Sequence, residues 1–85
     1  MNWCCYILRC ADDTLYTGIT NDIDQRLIAH NDGKASKYTR ARRPVTLFYS
    51  ENRCDRSDAL KREAAIKRLP RAAKLQLCFE LTARK

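Results

Sequence analysis

The order of apolar and polar residues at the start of the chain predicts two β-strands followed by a helix. Residues 3–10 are rich in aromatic and branched side chains, which is typical of a strand. The polar residues at 11–14 predict a turn, and residues 15–19 are expected to form the returning strand of a hairpin. Polar residues at 20–22 offer N-caps for a helix that runs to about residue 31, where an Asp-Gly pair ends it.

The rest of the chain predicts a loop, a strand and two helices. Residues 34–43 are polar and basic, and we expect a loop there. A third strand is predicted over 44–50, with a proline at its entry. A second helix is predicted over 55–69, with Asp55 or Ser57 as its N-cap. A third helix is predicted over 70–81, with a proline as its first residue.

This order of elements, β-β-α-β-α-α, predicts one α/β domain of the α+β type that covers residues 1–85. We expect a three-stranded antiparallel sheet with the helices packed against it. A chain of 85 residues has no room for a second core, and no internal repeat or linker divides it.

Composition favours an intracellular protein. No apolar run approaches the roughly 18 residues that a membrane span requires, and the chain does not begin with a signal-peptide pattern. The cysteines are odd in number and lack C-x-x-C spacing, so we interpret all five as small buried apolar residues: Cys4, Cys5, Cys10, Cys54 and Cys78. We therefore expect a cytoplasmic protein that does not contact a membrane.

The net charge of +7 is unevenly distributed. Residues 1–39 carry four basic against five acidic groups, whereas residues 40–85 carry thirteen basic against five acidic groups. A basic surface of this kind attracts polyanions, and nucleic acid is the commonest polyanion inside cells. Charge that merely keeps a small domain soluble is the alternative.

Tyr6 and Tyr16 lie on the two strands of the predicted hairpin, and the turn decides whether they share a face of the sheet. A four-residue loop that pairs the end of the first strand with Leu15 would place them on opposite faces. A three-residue loop that ends before Thr14 would place them on one face, with Tyr6 opposite Gly18. In that case the glycine would leave open space for a substrate beside the hydroxyls. Tyrosines that serve only as core rings are the alternative.

Arg26 and His30 lie one turn apart on the first predicted helix, at the edge of its apolar side. An arginine there can hold a phosphate through two hydrogen bonds, and a histidine can donate to a phosphate oxygen or relay a proton. A solvated helix edge would explain the same pattern.

Glu63 points with the apolar residues of the second predicted helix, between Ala59 and Ile66. A carboxylate on such a face is costly unless it is paired or bound to a metal. A salt bridge to Arg26 would satisfy it structurally, and a hydrated Mg²⁺ that also contacts a substrate phosphate would satisfy it functionally.

The segment 34–43 is basic and carries one aromatic residue. It could follow a phosphate backbone while its tyrosine stacks on a base. A mobile surface loop is the alternative. The candidate nucleic-acid-binding residues are Lys34, Lys37, Tyr38, Arg40, Arg42 and Arg43.

These residues occur in an order that resembles the GIY-YIG nuclease superfamily. Cys5-Tyr6-Ile7 followed by Tyr16-Thr17-Gly18 is similar to the paired GIY and YIG signatures. The later positions that match the family pattern are Arg26, His30 and Glu63. The resemblance covers almost the entire chain and is greatest to the small stand-alone, YhbQ-like members.

The resemblance implies a catalytic role for each of these five residues. Tyr16 would deprotonate the attacking water, Tyr6 would help to position that water, and Arg26 would stabilise charge on the phosphate. His30 would support the tyrosine and the phosphate, and Glu63 would hold one Mg²⁺ or Mn²⁺ ion.

The implied function is a divalent-metal-dependent endonuclease that hydrolyses phosphodiester bonds in DNA, in repair or recombination, with a protein partner to help choose the substrate. Two departures from the signatures, Cys5 in place of glycine and Thr17 in place of isoleucine, leave two alternatives open. One is a nucleic-acid-binding module without catalysis. The other is a nuclease-fold subunit of a larger complex.

Overall fold

Three strands and four helices follow one another along residues 3–83, the part of the chain that this computed structural model describes. They are β1 (Trp3–Arg9), β2 (Leu15–Thr20), α1 (Ile23–Asn31), α2 (Lys37–Arg40), β3 (Thr46–Arg53), α3 (Arg56–Lys67) and α4 (Arg71–Ala83). The strands form one antiparallel sheet in the order β2-β1-β3. The predicted α+β fold is confirmed. None of the helices in this part of the chain combines the length and apolar character that crossing a membrane requires.

The segment predicted as a loop over 34–43 contains α2, so the order of elements differs there from the prediction. Ser36 caps this single turn by accepting a hydrogen bond of 3.1 Å from the backbone N–H of Tyr38. A helix of four residues is too short to show a 3.6-residue apolar period, so the pattern did not reveal it.

The third strand was predicted over 44–50 but spans Thr46–Arg53. Its start is later because the backbone of Val45 pairs with a side chain instead of the sheet. The Asn31 amide accepts from the Val45 N–H at 2.8 Å and donates to its carbonyl at 3.0 Å. The polar end of the strand is longer than predicted because it pairs with the start of β1.

The predicted N-caps of helices α1 and α3 are confirmed. Asp22 accepts a hydrogen bond from the Gln25 N–H at the start of α1. Asp55, one of the two residues considered, accepts from the Asp58 N–H at 2.8 Å at the start of α3. Such caps satisfy backbone donors that a helix leaves unpaired in its first turn.

The turn between β1 and β2 is the shorter of the two that we considered. The Cys10 N–H donates to the Thr14 carbonyl at 2.9 Å, which encloses a three-residue loop. Asp13 closes the loop with a positive φ of 69°, as expected for a turn followed by one left-handed residue. The three-residue alternative is therefore confirmed.

This turn sets the register that places the two tyrosines together. Tyr6 lies opposite Gly18, and Leu8 lies opposite Tyr16. Positions two residues apart on a strand point to the same side, so the Tyr6 and Tyr16 side chains share one face.

Apolar residues cover both faces of the sheet. On the tyrosine face the buried residues are Tyr6, Leu8, Cys10 and Val45, and they pack with Ile23 and Leu27 of α1. On the other face they are Cys5, Ile7, Tyr49, Ile66 and Cys78, so α3 and α4 pack there. The sheet thus separates α1 from the two later helices.

Four of the five cysteines are buried, but the prediction was wrong for Cys54, which is exposed. Cys54 lies in the bend between β3 and α3, where its backbone N–H donates to the Asp58 carboxylate at 3.0 Å. The bend faces solvent, so no core is available to cover the thiol.

Gly18 does not leave space for a substrate, contrary to the expectation. A Cβ atom at this position would lie 2.6 Å from the Tyr6 hydroxyl oxygen, so the Tyr6 ring itself fills the space above the glycine. Tyr6 is only 1% exposed as a result. The glycine is thus required for the close approach of this ring.

We predict that Gly18→Ala lowers the free energy of unfolding by about 1–3 kcal/mol, because the new methyl group displaces Tyr6. The same substitution made in a Tyr6→Leu background should cost less, since the shorter side chain does not reach the methyl group. Denaturant unfolding of the four proteins would measure this coupling. An equal cost in both backgrounds would contradict it.

Candidate active site

A chain of buried hydrogen bonds links β1, α1 and α2. The Tyr6 hydroxyl lies 2.9 Å from Nε2 of His30, and Nδ1 of His30 lies 2.8 Å from Oγ1 of Thr39. The Thr39 hydroxyl also donates to the Ser36 carbonyl at 3.3 Å. His30 and Thr39 are fully buried.

The donors and acceptors of this chain define the protonation of His30. A threonine hydroxyl has one proton, which Thr39 gives to Ser36, so its oxygen accepts from Nδ1–H of the imidazole. Nε2 is then free to accept the proton of the Tyr6 hydroxyl. In this assignment the side-chain polar groups of Tyr6, His30 and Thr39 all have hydrogen-bond partners, as buried polar groups require.

Burial and a neighbouring arginine keep His30 neutral. Burial lowers the pKa of the His30 imidazole below its ordinary value of 6.5, and the positive charge of Arg26 lowers it further. Burial also raises the pKa of the Tyr6 hydroxyl above 10.0, and Arg26 offsets part of that effect. Tyr6 and His30 are therefore a neutral phenol and a neutral imidazole when a substrate binds.

Arg26 extends from α1 beside these two residues with spare hydrogen-bonding capacity. Its Nε atom is buried and has no hydrogen-bond partner within residues 3–83. An unsatisfied buried donor is costly, by about 1–3 kcal/mol, and a guanidinium group binds phosphate oxygens well. The arrangement is suited to an anion that is not part of the chain.

Tyr16 packs against the same cluster. Its ring meets His30 edge-on, with the centroids 5.1 Å apart, and stacks on Tyr38 at 5.9 Å. No hydrogen bond within the described part of the chain engages its hydroxyl, and the side chain is only half-buried. The hydroxyl is therefore available to a water molecule or a substrate.

The basic segment of 34–43 divides into tethered and untethered residues. The Arg42 guanidinium lies 3.9 Å from the centroid of the Tyr38 ring and pairs with Asp12 at 3.0 Å. Arg43 donates to the backbone carbonyls of Arg40 and Asn31. A base could stack on Tyr38 only by displacing one of its present neighbours.

Three further basic side chains of this segment are exposed: Lys34, Lys37 and Arg40. Exposed, flexible cations of this kind suit phosphate contacts that are independent of sequence. A nucleic-acid-binding role for the segment stays a prediction.

Glu63 stands apart from this cluster. It lies on α3, which packs against the face of the sheet opposite the tyrosines. Burial raises the pKa of the Cys5 thiol on that face, and the charges of Glu51 and Glu63 raise it further. The ion pair of Glu63 within residues 3–83 is with Lys67, at 3.7 Å, rather than with Arg26. The structure thus brings four of the five predicted catalytic residues together, and the role of Glu63 stays a prediction.

The donors near Glu63 suit one kind of metal ion. Within the described residues, no three His, Cys, Asp or Glu side chains gather into a metal-binding group. A single carboxylate, 20% exposed, fits an ion such as Mg²⁺ that keeps most of its water and takes the rest of its ligands from a phosphate.

Thr39 could not be found from the sequence. It belongs to the segment predicted as a loop, and a threonine in a polar stretch gives no sign of burial. It is fully buried because α2 turns its hydroxyl toward His30, which lies nine residues earlier.

We predict that His30 makes the stability depend on pH. In the unfolded chain His30 has a pKa near 6.5, but the folded-state pKa is lower, so the unfolded state binds more protons as the pH falls. The free energy of unfolding should have its full value above about pH 6.5 and should decline as the pH falls through the folded-state pKa of His30. Denaturant unfolding at a series of pH values would measure this.

His30→Gln, which cannot titrate, is the control and should flatten the profile in that window. The Asp12 and Asp58 carboxylates have lowered pKa values, from 3.8, and affect only more acidic conditions. Equal slopes for the two proteins would show that His30 is not responsible.

A second prediction tests the hydrogen-bond chain. Thr39→Val keeps the size of the side chain but leaves Nδ1–H of His30 without an acceptor, which should cost about 1–3 kcal/mol. Thr39→Ser keeps the hydroxyl and should cost less. Urea unfolding of the two variants compares them directly, and a larger loss for serine would contradict the assignment.

Comparison with known proteins identifies related sequences. A family model for the GIY-YIG catalytic domain matches residues 2–76. A UPF0213 protein of Staphylococcus saprophyticus is 51% identical over 75 residues, which cover 88% of this chain and 92% of the relative. A UPF0213 protein of Streptococcus agalactiae is 53% identical over 70 residues, which cover 82% of this chain and 80% of the relative.

Two solved structures share the fold. The solution NMR structure of a UPF0213 protein from Bacillus halodurans is 42% identical, with a TM-score of 0.57, and the match covers 91% of this chain and 82% of that one. The solution NMR structure of an E. faecalis protein is 36% identical, with a TM-score of 0.65, and covers 98% and 88%. From the family match, the sequence identities and the shared fold, the chain belongs to the GIY-YIG nuclease superfamily.

Proposed function

We propose that this protein is a divalent-metal-dependent endonuclease that hydrolyses phosphodiester bonds in DNA. The observation that carries the proposal is the position of Arg26. Its unpaired Nε donor lies beside a hydrogen-bonded Tyr6–His30 pair, and a second tyrosine with an available hydroxyl packs against the same histidine. Phosphodiester hydrolysis needs these parts: a cation to hold the phosphate, and polar groups that orient and deprotonate a water.

In the proposed mechanism Arg26 binds the scissile phosphate and stabilises the charge that develops on it. Tyr16 accepts a proton from the attacking water, since its side chain is half-buried and its hydroxyl has no hydrogen-bond partner within the described residues. The Tyr16 hydroxyl must first release its own proton to solvent, because only a phenolate can take up the proton of the water, and nearby positive charge favours that phenolate. The phosphate-bound guanidinium provides part of that charge.

Tyr6 serves to orient rather than to deprotonate. Its hydroxyl is held by His30 and its pKa is raised by burial, so it remains protonated. Its oxygen can accept a hydrogen bond from the attacking water while the hydroxyl keeps its own proton and donates a hydrogen bond to Nε2 of His30. The fixed position of this oxygen favours one approach of the water to phosphorus.

Glu63 would hold a Mg²⁺ or Mn²⁺ ion, which supplies a positive charge that offsets charge on the phosphate when it is bound. Because Glu63 and the tyrosines are on opposite faces of the sheet, a substrate that contacts both must extend past the sheet's boundary. The edge strand β2 lies on that route.

The separation of Glu63 from the tyrosine cluster favours one alternative, a nucleic-acid-binding module that does not cleave. Such a module needs the exposed cations of 34–43 and the Arg26 side chain, but no metal ligand. In it Glu63 would be a surface partner of Lys67. The two functions differ in what a change at Glu63 does.

We predict that Glu63→Gln abolishes metal-dependent cleavage without changing the stability of the fold, because it removes a charge and keeps the size of the side chain. Glu51→Gln is a matched control: its side chain is 19% exposed, against 20% for Glu63, but it forms a hydrogen-bonded ion pair with Arg62 at 2.6 Å. The control should lower the free energy of unfolding by about 1–3 kcal/mol and keep cleavage. Tyr16→Phe should lower kcat by about 100-fold or more.

The assay is incubation with linear, single-stranded and branched DNA and RNA in Mg²⁺ or Mn²⁺, with thermal melting of each variant. A wild-type protein that binds DNA but cuts none of these substrates would favour the binding module. A large fall in Tm for Glu63→Gln would show that the glutamate is structural.

A further inference from the structure

A cleft lies at the end of the sheet where β1 begins and β2 ends. It has a volume of about 300 Å³ and is lined by Trp3, Ile19, Thr20, Asn21, Arg26 and Arg56. Arg26 comes from α1 on the tyrosine face, and Arg56 is the first residue of α3 on the other face. The cleft therefore connects the two sides of the sheet.

The charge in this cleft has one sign. Among the described residues, two guanidinium groups line it and no carboxylate does. Arg56 is exposed and forms no ion pair or hydrogen bond within residues 3–83, in contrast to Arg42, Arg53 and Arg62. Two arginines that share a cleft without a counter-ion provide for an anion, because guanidinium groups bind phosphate oxygens through paired hydrogen bonds.

The cleft also contains an aromatic ring. Trp3 is half-buried at its wall, and an indole offers a large flat surface to a base or a sugar. The combination of arginine and an aromatic ring is the usual chemistry of single-strand nucleic-acid grooves, where bases stack and cations follow the backbone. A free inorganic anion would not require the ring.

We propose that this cleft is a nucleotide subsite, in which Arg56 binds the phosphate next to the one held by Arg26 and Trp3 packs against the attached nucleoside. The proposal rests on the proposed function for the identity of the substrate, a DNA strand. Because Arg26 belongs to both the cleft and the tyrosine cluster, the two phosphates are neighbours on one strand. The subsite would direct the strand from the tyrosine face around the end of β2 toward α3.

The chain carries its own probe for this test, because Trp3 is its single tryptophan. Intrinsic emission can be followed while the protein is titrated with single-stranded tetradeoxythymidylate in EDTA, where no metal-dependent cleavage occurs. We expect saturable quenching of Trp3 emission. Arg56→Gln should weaken the affinity about tenfold, as expected for one lost charge-assisted contact.

Arg68→Gln is the matched control. It makes the same change in net charge on an exposed residue at the other end of α3, outside the cleft, and should alter the affinity less than about twofold. A third variant, Trp3→Leu, is measured by anisotropy of a labelled oligonucleotide and should weaken binding about fivefold or more. Thermal melting confirms that each variant is folded.

Several results would overturn the proposal. One is an oligonucleotide that binds by anisotropy without changing Trp3 emission. Another is equal loss of affinity in the two arginine variants, which would assign the effect to net charge. Inorganic phosphate that quenches Trp3 as strongly as the oligonucleotide, at equal affinity, would reduce the cleft to a general anion site. A clear Trp3 response in a protein that cuts no substrate would support the subsite and reject the nuclease activity.

Discussion

The hydrogen bond between the Tyr6 hydroxyl and His30 is the interaction on which the rest of the candidate site depends. It joins the central strand to the first helix inside the protein, where an unpaired hydroxyl or imidazole would be costly. Thr39 completes it from the other side and so requires α2 to fold back over α1. The bond also requires a glycine at position 18, because a larger residue there would displace the Tyr6 ring.

These buried hydrogen bonds explain why part of the basic segment 34–43 packs against the rest of the protein. With Thr39 anchored on His30, Tyr38 is placed against Tyr16, and Arg42 covers the Tyr38 ring while pairing with Asp12 in the hairpin turn. Cations tied into such contacts contribute to the fold. The exposed cations Lys34, Lys37 and Arg40 lie in the same segment, 34–43. This short segment therefore contributes both to the structure of the site and to the surface charge.

Arginines in this protein differ according to their partners. Arg53 and Arg62 bind carboxylates around β3 and α3, and these interactions raise the pKa of each guanidinium group. Arg26 and Arg56 line a cleft to which no carboxylate contributes within the part of the chain that the structure describes. In a chain with a net charge of +7, the guanidinium groups that lack a carboxylate partner mark where an external anion is expected more clearly than the total charge does.

The sequence by itself determined the α+β class, the hairpin of the first two strands and the order of the main elements, because apolar periodicity, turn residues and helix caps are local signals. The resemblance to the GIY-YIG pattern grouped Tyr6, Tyr16, Arg26, His30 and Glu63 as one site, although the two tyrosines could have faced opposite ways. Only the folded chain decided this, through a loop of three residues instead of four, with Asp13 in a left-handed conformation. A difference of one residue in a turn reverses a strand's faces and leaves almost no trace in composition.

The tertiary structure alone also revealed the burial of Thr39, the filled space above Gly18 and the cleft that both Trp3 and Arg56 line. Each depends on atoms that come from distant positions in the chain, such as the pair His30 and Thr39 brought together by α2. Local patterns report which side of a helix or strand is apolar. They do not report which polar atom on another element comes within hydrogen-bonding distance, because that is decided by how whole elements pack.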